Sequence, residues 1–394
     1  MQNPRLAYVW AAFLTVVAGA FALQSNLTNN KLPEPYHTPS ANNRPQVIAR
    51  PDGVNLSLPK GFQIDVYAEG FERPRFMLLG PSQELLISDS AKNGAVYVMV
   101  NKERRKIIDG LFQPYGLAFW KDYLYVAETT SLKRYKYDAK AMKVAGKGEE
   151  LVSIPDFDKG HWTRTVLFDR EGKKMYFTIG SGSNVDTGED PRRAAINRYN
   201  PDGSGHEIYA SGVRNTIGLR WYPGTNTLWA AVQERDGLGD DLVPDYFTNV
   251  KQGGFYGWPY AYIGPHEEPR NKGQRTDLVK KTITPDVLLG AHVAPLEFAF
   301  YSGKQFPESY WGGAFIAEHG SWNRAARSGY QVAFVAFQDG KPSADPVPFL
   351  TGLVPDPSGS DVYGRPVGVA VAPDGALLVS DDGADVVYRV SVAK

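Results

Sequence analysis

The stretch Gly160-His161-Trp162-Thr163-Arg164-Thr165-Val166-Leu167-Phe168-Asp169-Arg170-Glu171-Gly172-Lys173-Lys174-Met175-Tyr176-Phe177-Thr178-Ile179-Gly180-Ser181-Gly182 decides the fold. It predicts a short apolar strand from Thr165 to Phe168 and a turn at Gly172. A second strand follows from Lys174 to Ile179, and a polar loop begins after Gly180. This is the pattern of the inner strands of a β-propeller blade, and it places His161 where the innermost strand begins. That end of the strand faces the central channel, where propellers hold ligands. Two readings of His161 are open: a group that takes a proton near neutral pH, or a loop cap without chemistry.

The same theme recurs along the chain. Arg73-Pro74-Arg75-Phe76 precedes Leu85-Leu86-Ile87-Ser88-Asp89, and Gln113-Pro114-Tyr115-Gly116 precedes Tyr123 to Glu128. Val213-Arg214-Asn215-Thr216-Ile217-Gly218 precedes Thr227 to Val232, and Val293-Ala294-Pro295 precedes Gly313 to His319. Arg365-Pro366-Val367-Gly368 precedes Gly375 to Asp381. With the opening stretch these make six copies spaced by roughly 40 to 80 residues, as expected of blades with insertions. A single blade cannot bury both faces of its sheet, so the copies must pack radially as one domain. The predicted fold is an all-β, six-bladed β-propeller over residues 54–394. Two wide gaps, Val232 to Ala291 and Trp322 to Val362, carry Asp, Gly and Pro and map as loop insertions.

Composition narrows the function. Basic and acidic residues balance at 43 each, so no net field favours nucleic acid or an anionic membrane. The 40 glycines, 28 prolines and 12% aromatic residues suit many turns and strands. The absence of cysteine rules out disulfides, thiolate catalysis, zinc–thiolate sites and covalently attached c-type haem. Arg5, the apolar run from Leu6 to Leu23 and Ala20-Phe21-Ala22 read as a signal peptide or an uncleaved membrane anchor over residues 1–23. Both place the protein in the periplasm or outside the cell. Residues 24–53 read as an exposed lead-in without a core.

Polar groups collect at the channel ends of the repeats: His161 with Arg164, Arg214 with Asn215, and Arg365. Converging arginines fit a polycarboxylate or phosphate ligand, or pair with acids across the channel. The loop from Gln233 through Glu234, Arg235, Asp236, Asp240 and Asp241 to Asp245 holds five acidic residues around two glycines. Such a loop suits Ca²⁺ or is solvated; its spacing is not that of an EF-hand. It runs on to Gly253-Gly254-Phe255-Tyr256-Gly257-Trp258-Pro259. The segment Glu318-His319-Gly320-Ser321-Trp322-Asn323-Arg324 leaves a strand for a polar loop and suits a sugar or cofactor pocket.

Taken together, the Gly160-His161 to Gly180 stretch, Gly212-Val213-Arg214-Asn215 with Gly218-Leu219, the Asp240-Asp241 loop with Gly257-Trp258-Pro259, and Arg365 with Pro373-Asp374-Gly375 carry a resemblance. Over about residues 55–392 the chain resembles the soluble quinoprotein glucose/sorbosone dehydrogenases, closest to the sorbosone dehydrogenase-like branch. These are six-bladed propellers that bind pyrroloquinoline quinone (PQQ) and Ca²⁺. The resemblance implies that His161 is the catalytic base and that Arg214 lies near the quinone oxygens. It implies further cofactor contacts from Asn215, Gln233 and Arg365, with His319 or Arg324 standing where a lysine is expected. It implies a calcium region at Glu234, Arg235, Asp240, Asp241 and Tyr256. Val367 replaces a second arginine, Gly160 replaces an acidic residue, and Glu234-Arg235 replaces Gly-Pro. The expected activity is oxidation of an aldose or sorbosone-like sugar, with electrons passed to an external acceptor. A Ca²⁺-dependent lactonase and a non-catalytic carbohydrate-binding propeller are the alternatives.

Overall fold

The computed structural model describes residues 32–393. The leader expected over residues 1–23 lies outside them, and no helix among the described residues is long and apolar enough to cross a membrane. Six sheets of at least four strands are arranged as blades I to VI. From I to VI the first strands begin at Pro74, Leu117, Val166, Asn215, Pro295 and Pro366. Each blade is built on an antiparallel meander; blade III adds a short fifth strand, Gly254–Phe255, parallel to Glu207–Ser211. The first strand of each lies innermost, as in Val166–Phe168, which pairs with Met175–Ile179. The six-bladed propeller expected from the repeats is therefore the observed fold.

Second strands such as Leu85–Asp89, Met175–Ile179, Ala314–Glu318 and Leu377–Asp381 are buried along their whole length. They read as unbroken apolar runs because both faces of a blade are covered. Leu377 and Val379 face the core shared with blade V, while Leu378 faces the core shared with blade I. Among the described residues six buried clusters occur, one at each blade-to-blade interface. Outer strands such as Lys143–Ser153 are mostly exposed.

Second strands often end in an acid that binds the backbone of the loop beside it. Asp89 accepts from the amides of Glu72 and Arg73, Glu128 from Phe112, and Asp381 from Arg365, Gly383 and Ala384. These bonds fix the approach to the innermost strand of the same blade, where the channel-facing side chains sit. Inner strands also approach closely. A Cβ on Gly368 of blade VI would lie 2.2 Å from the Arg75 carbonyl of blade I.

Phe62–Ala68 closes the ring as the outermost strand of blade VI, paired with Val386–Val392. Ahead of it, residues 32–50 form a strap across the loops around Gly239, Ala325 and Ser360. Gln46–Val47 pairs in parallel with Asp361–Val362. Thr38 Oγ1 and Ser40 Oγ accept from the amides of Asp240 and Gly239. No strap residue is fully buried, in keeping with a segment lacking a core of its own.

Candidate functional site

A cavity of about 350 Å³ opens at the channel end where the innermost strands begin. Its wall includes Arg73 and Arg75 from blade I, His161 and Trp162 from the approach to blade III, and Arg214 and Asn215 from blade IV. Gln233, Asp236, His292, His319, Trp322 and Arg365 complete it. The volume and the mix of aromatic and convergent polar groups suit a cofactor with a small substrate.

His161 is set by glycines. A Cβ at Gly180 would come within 2.6 Å of His161 Cβ and 2.4 Å of Asn215 Oδ1. Gly160 has a φ of +80° and packs on Gly182, so a side chain there would strain the turn that delivers the histidine. His161 Nδ1 lies 2.9 Å from the Ser181 carbonyl. A carbonyl only accepts, so Nδ1 carries the hydrogen and Nε2 is the free acceptor in the neutral ring. Burial, with Arg214 nearby, pushes the imidazole down to about 3, so the ring is neutral at physiological pH. Arg164 does not reach the cavity. It is fully buried and donates to the carbonyls of His161, Thr163 and Phe157 at 2.7, 3.0 and 2.7 Å, bracing the loop from below.

Two ion-pair groups flank the cavity. On one side Arg214 Nη2 pairs with Asp236 at 3.1 Å, and Asp236 also accepts from Asn323 at 2.6 Å. Burial opposes the charge on Asp236, but Arg214 and His292 hold its carboxyl down at about 2. His292 donates from Nε2 to the Gly239 carbonyl at 2.9 Å. Burial alone would depress this histidine, but Asp236 and that carbonyl raise it. On the other side Asp382 accepts from Arg75 Nε at 2.9 Å and pairs with His319 Nε2 at 2.7 Å. Burial works against its charge, yet Arg75 and His319 hold it far below the usual carboxylate range.

Arg365 differs. Its guanidinium donates only to the carbonyls of His319 and Gly320, at 3.2 and 3.3 Å, and no carboxylate is within ion-pair distance among the described residues. Asn215 Nδ2 donates to Gln233 Oε1 at 2.9 Å, while the buried Asn215 Oδ1 has no partner. Burial raises Glu234 to about 8 and Asp245 to about 7, which weakens their negative charge near neutrality. Four guanidiniums thus face mainly Asp236 and Asp382, and the cavity is electropositive.

The structure therefore brings His161, Arg214, Asn215, Gln233, His319 and Arg365 to one cavity. Glu234 lines it too, but the rest of the expected calcium set does not converge. Arg235 is buried in an ion pair with Glu268 at 3.2 Å. The Tyr256 hydroxyl bonds to Asn249 O and Lys251 N, and Asp241 pairs with Arg324 at 2.7 Å. Asp240 accepts from the Ala325 amide. Among the described residues no group of three or more His, Cys, Asp and Glu could hold a metal ion. Calcium at this region stays an expectation of the resemblance; in the structure Asp240 and Asp241 tie the loop to its neighbours. Arg324 belongs to that tie and lies outside the cavity wall. Sequence reasoning missed Arg73 and Arg75 as site residues, although Arg73-Pro74-Arg75 stands in register with Arg365-Pro366. It also missed His292, which lies beside an insertion without periodicity, and Asp382, and it read Asp236 only as part of the acidic loop and not as the partner of Arg214.

The family model described as TrAA12-like matches residues 56–260 and 265–393. An uncharacterized protein of Borreliella burgdorferi is 30% identical over 355 residues, covering 86% of this chain and 91% of that one. A pyrroloquinoline quinone-dependent pyranose dehydrogenase of Coprinopsis cinerea is 25% identical over 250 residues, 52% of this chain and 33% of that protein's length. The holo form of the Coprinopsis cinerea pyranose dehydrogenase PQQ domain superposes with a TM-score of 0.73 at 20% identity, covering 88% of this chain and 99% of that one. The soluble aldose sugar dehydrogenase of Escherichia coli in its apo form gives a TM-score of 0.64 at 16% identity, covering 84% and 100%. The propeller is thus the fold of PQQ sugar dehydrogenases, and the chain belongs to the TrAA12-like family.

Proposed function

We propose that this protein is a PQQ-dependent dehydrogenase that oxidises a pyranose or sorbosone-like sugar and passes electrons to an external acceptor. The observation that carries the reading is the neutral His161, with Nε2 unprotonated, in the wall of a cavity whose Arg365 guanidinium has no carboxylate partner. The fit is chemical. PQQ bears three carboxylates, which suit the Arg365 guanidinium, while the unpartnered Asn215 Oδ1 is an acceptor awaiting an N–H or O–H of cofactor or sugar.

PQQ, when bound, supplies an electrophilic ortho-quinone that takes up hydride from the sugar carbon. Arg365 and Arg214, both in the cavity wall, would hold the cofactor. His161 Nε2 would take the hydroxyl proton as the adjacent C–H bond breaks, and the Ser181 carbonyl keeps the ring turned for that role. An aldose would thereby become its lactone. No step is assigned to calcium. A lactonase or a purely carbohydrate-binding propeller leaves Arg365 without an anion to bind.

The test is titration of the purified protein with PQQ, then addition of sugar and a dye acceptor. Saturable binding followed by quinone bleaching is expected. His161→Ala should keep PQQ binding and lose at least about 100-fold in kcat. Arg365→Ala should weaken PQQ about tenfold or more. No binding at roughly 10 μM PQQ, a weak limit for so tightly buried a cofactor, overturns the reading.

A further inference from the structure

Arg73 stands apart from the other three cavity arginines. Its backbone is pinned, because Asp89 accepts its amide at 2.6 Å. Its side chain is 39% exposed at the cavity mouth, whereas those of Arg75 and Arg214 are each 5% exposed. The nearest carboxylate oxygen, Asp382 Oδ2, is 3.7 Å away and already accepts from Arg75 Nε and Nη2. The other oxygen of Asp382 is taken by His319. Glu72 and Asp385 are the remaining acids nearby, and neither is within ion-pair distance. Among the described residues the guanidinium makes no hydrogen bond. It lies over the ring of Trp162, 5.8 Å from the centroid, and Trp162 directly follows His161.

A half-exposed fork of donors on a pinned backbone, beside a second arginine, is a carboxylate receptor facing solvent. The deeper arginines meet whatever lies at the channel floor. A group at the mouth meets the molecule that enters and leaves. A hexuronate carries its carboxylate across the ring from C1, so with C1 at His161 that carboxylate can extend along the wall toward Arg73. Trp322, 42% exposed, offers an apolar ring on the same rim.

We infer that Arg73 reads a carboxylate on the substrate, so that the preferred sugar is a uronic acid or a saccharide presenting one. The inference rests on the dehydrogenase reading for its chemistry. The PQQ-loaded enzyme is assayed on two matched pairs, D-galacturonate with D-galactose and D-glucuronate with D-glucose. PQQ affinity is measured separately for the wild type, Arg73→Gln and Arg73→Lys. Tryptophan fluorescence reports sugar binding to the same proteins without turnover. The expected result is a uronate preference of about tenfold in KM, the low end for a charged hydrogen bond at a half-exposed site. It should fall to near unity in Arg73→Gln, survive in part in Arg73→Lys, and weaken with added salt.

A wild type indifferent to the carboxylate overturns the inference, as does a preference that Arg73→Gln retains. So does an Arg73→Gln that loses tenfold in PQQ affinity with the uronate ratio unchanged, since the arginine then serves the cofactor. If the wild type binds no PQQ, the dehydrogenase reading fails, and fluorescence decides the mouth site by itself. Saturable quenching by uronate and not hexose, lost in Arg73→Gln, then supports it; equal or absent quenching overturns it.

Discussion

Glu318 ends the second strand of blade V with 1% exposure and no cation within ion-pair distance among the described residues. Its partner is Gln331, which donates to Oε2 at 2.8 Å. Burial raises this carboxyl to about 8. A folded-state value above the unfolded one means that the native state binds the proton more tightly. The stability this group contributes is complete below about pH 4.3, the unfolded value, and is lost as pH rises toward 8. Glu318→Gln keeps the shape and the acceptor but removes the titration. Its melting temperature should exceed wild type by at least about 2 °C at pH 9 and match it at pH 5. Thermal melts at the two pH values check this, and an equal difference at both would contradict it. Residues of this kind mark how far the site was legible. That His161, Arg214, Asn215 and Arg365 share a cavity follows from the repeat, which fixes the positions at the channel end of a strand, whereas Gln233 is named only through the resemblance. The contacts of Arg235 and Tyr256 are not legible because both lie in an insertion, where only their partners in space, Glu268 and Asn249, show what they touch. Asp381 and Asp382 are neighbours in the chain, yet one binds loop amides and the other holds Arg75 and His319.

The strap over residues 32–50 is held by one buried cation. Arg327 donates to Asn43 O and Oδ1 at 3.1 Å each, to Arg44 O at 3.2 Å and to Ser360 O at 2.8 Å. The strap also holds the loop that carries Asp236, through the hydroxyls of Thr38 and Ser40. Arg327→Met should therefore free the strap and strand those carbonyls, at roughly 3 kcal/mol for several lost charged hydrogen bonds. Hydrogen exchange should rise at Gln46 and Val47 and at Gly239 and Asp240, while Phe62–Ala68 stays protected. Exchange confined to residues 46 and 47 would show that the loop keeps its place without the strap. None of this could be read from composition, which marks the segment only as polar. What composition does not carry is the set of donors and acceptors, 200 to 300 residues away, that such a segment meets.

For the whole molecule, the ring was legible because each blade repeats the same buried second strand. The closing strand was not: Phe62–Ala68 is half exposed and alternates weakly, so nothing local marks it as part of blade VI. Its partner strand ends the described chain, and the Ala393 amide donates to the Gly61 carbonyl at 2.9 Å. The two ends of the propeller therefore meet in a pairing that spans the full circuit of blades. Such a contact forms late, because the loop entropy is spent before the pairing returns any of it. A circular permutant that joins Ala393 to Gly61 by a short turn and opens between Asn101 and Lys102 makes this pairing an ordinary hairpin. Against the linear chain from Gly61, it should refold about tenfold faster while its unfolding rate changes little. Stopped-flow fluorescence measures both rates. The arrangement that locks the ring in the native state is then also its slowest step to reach.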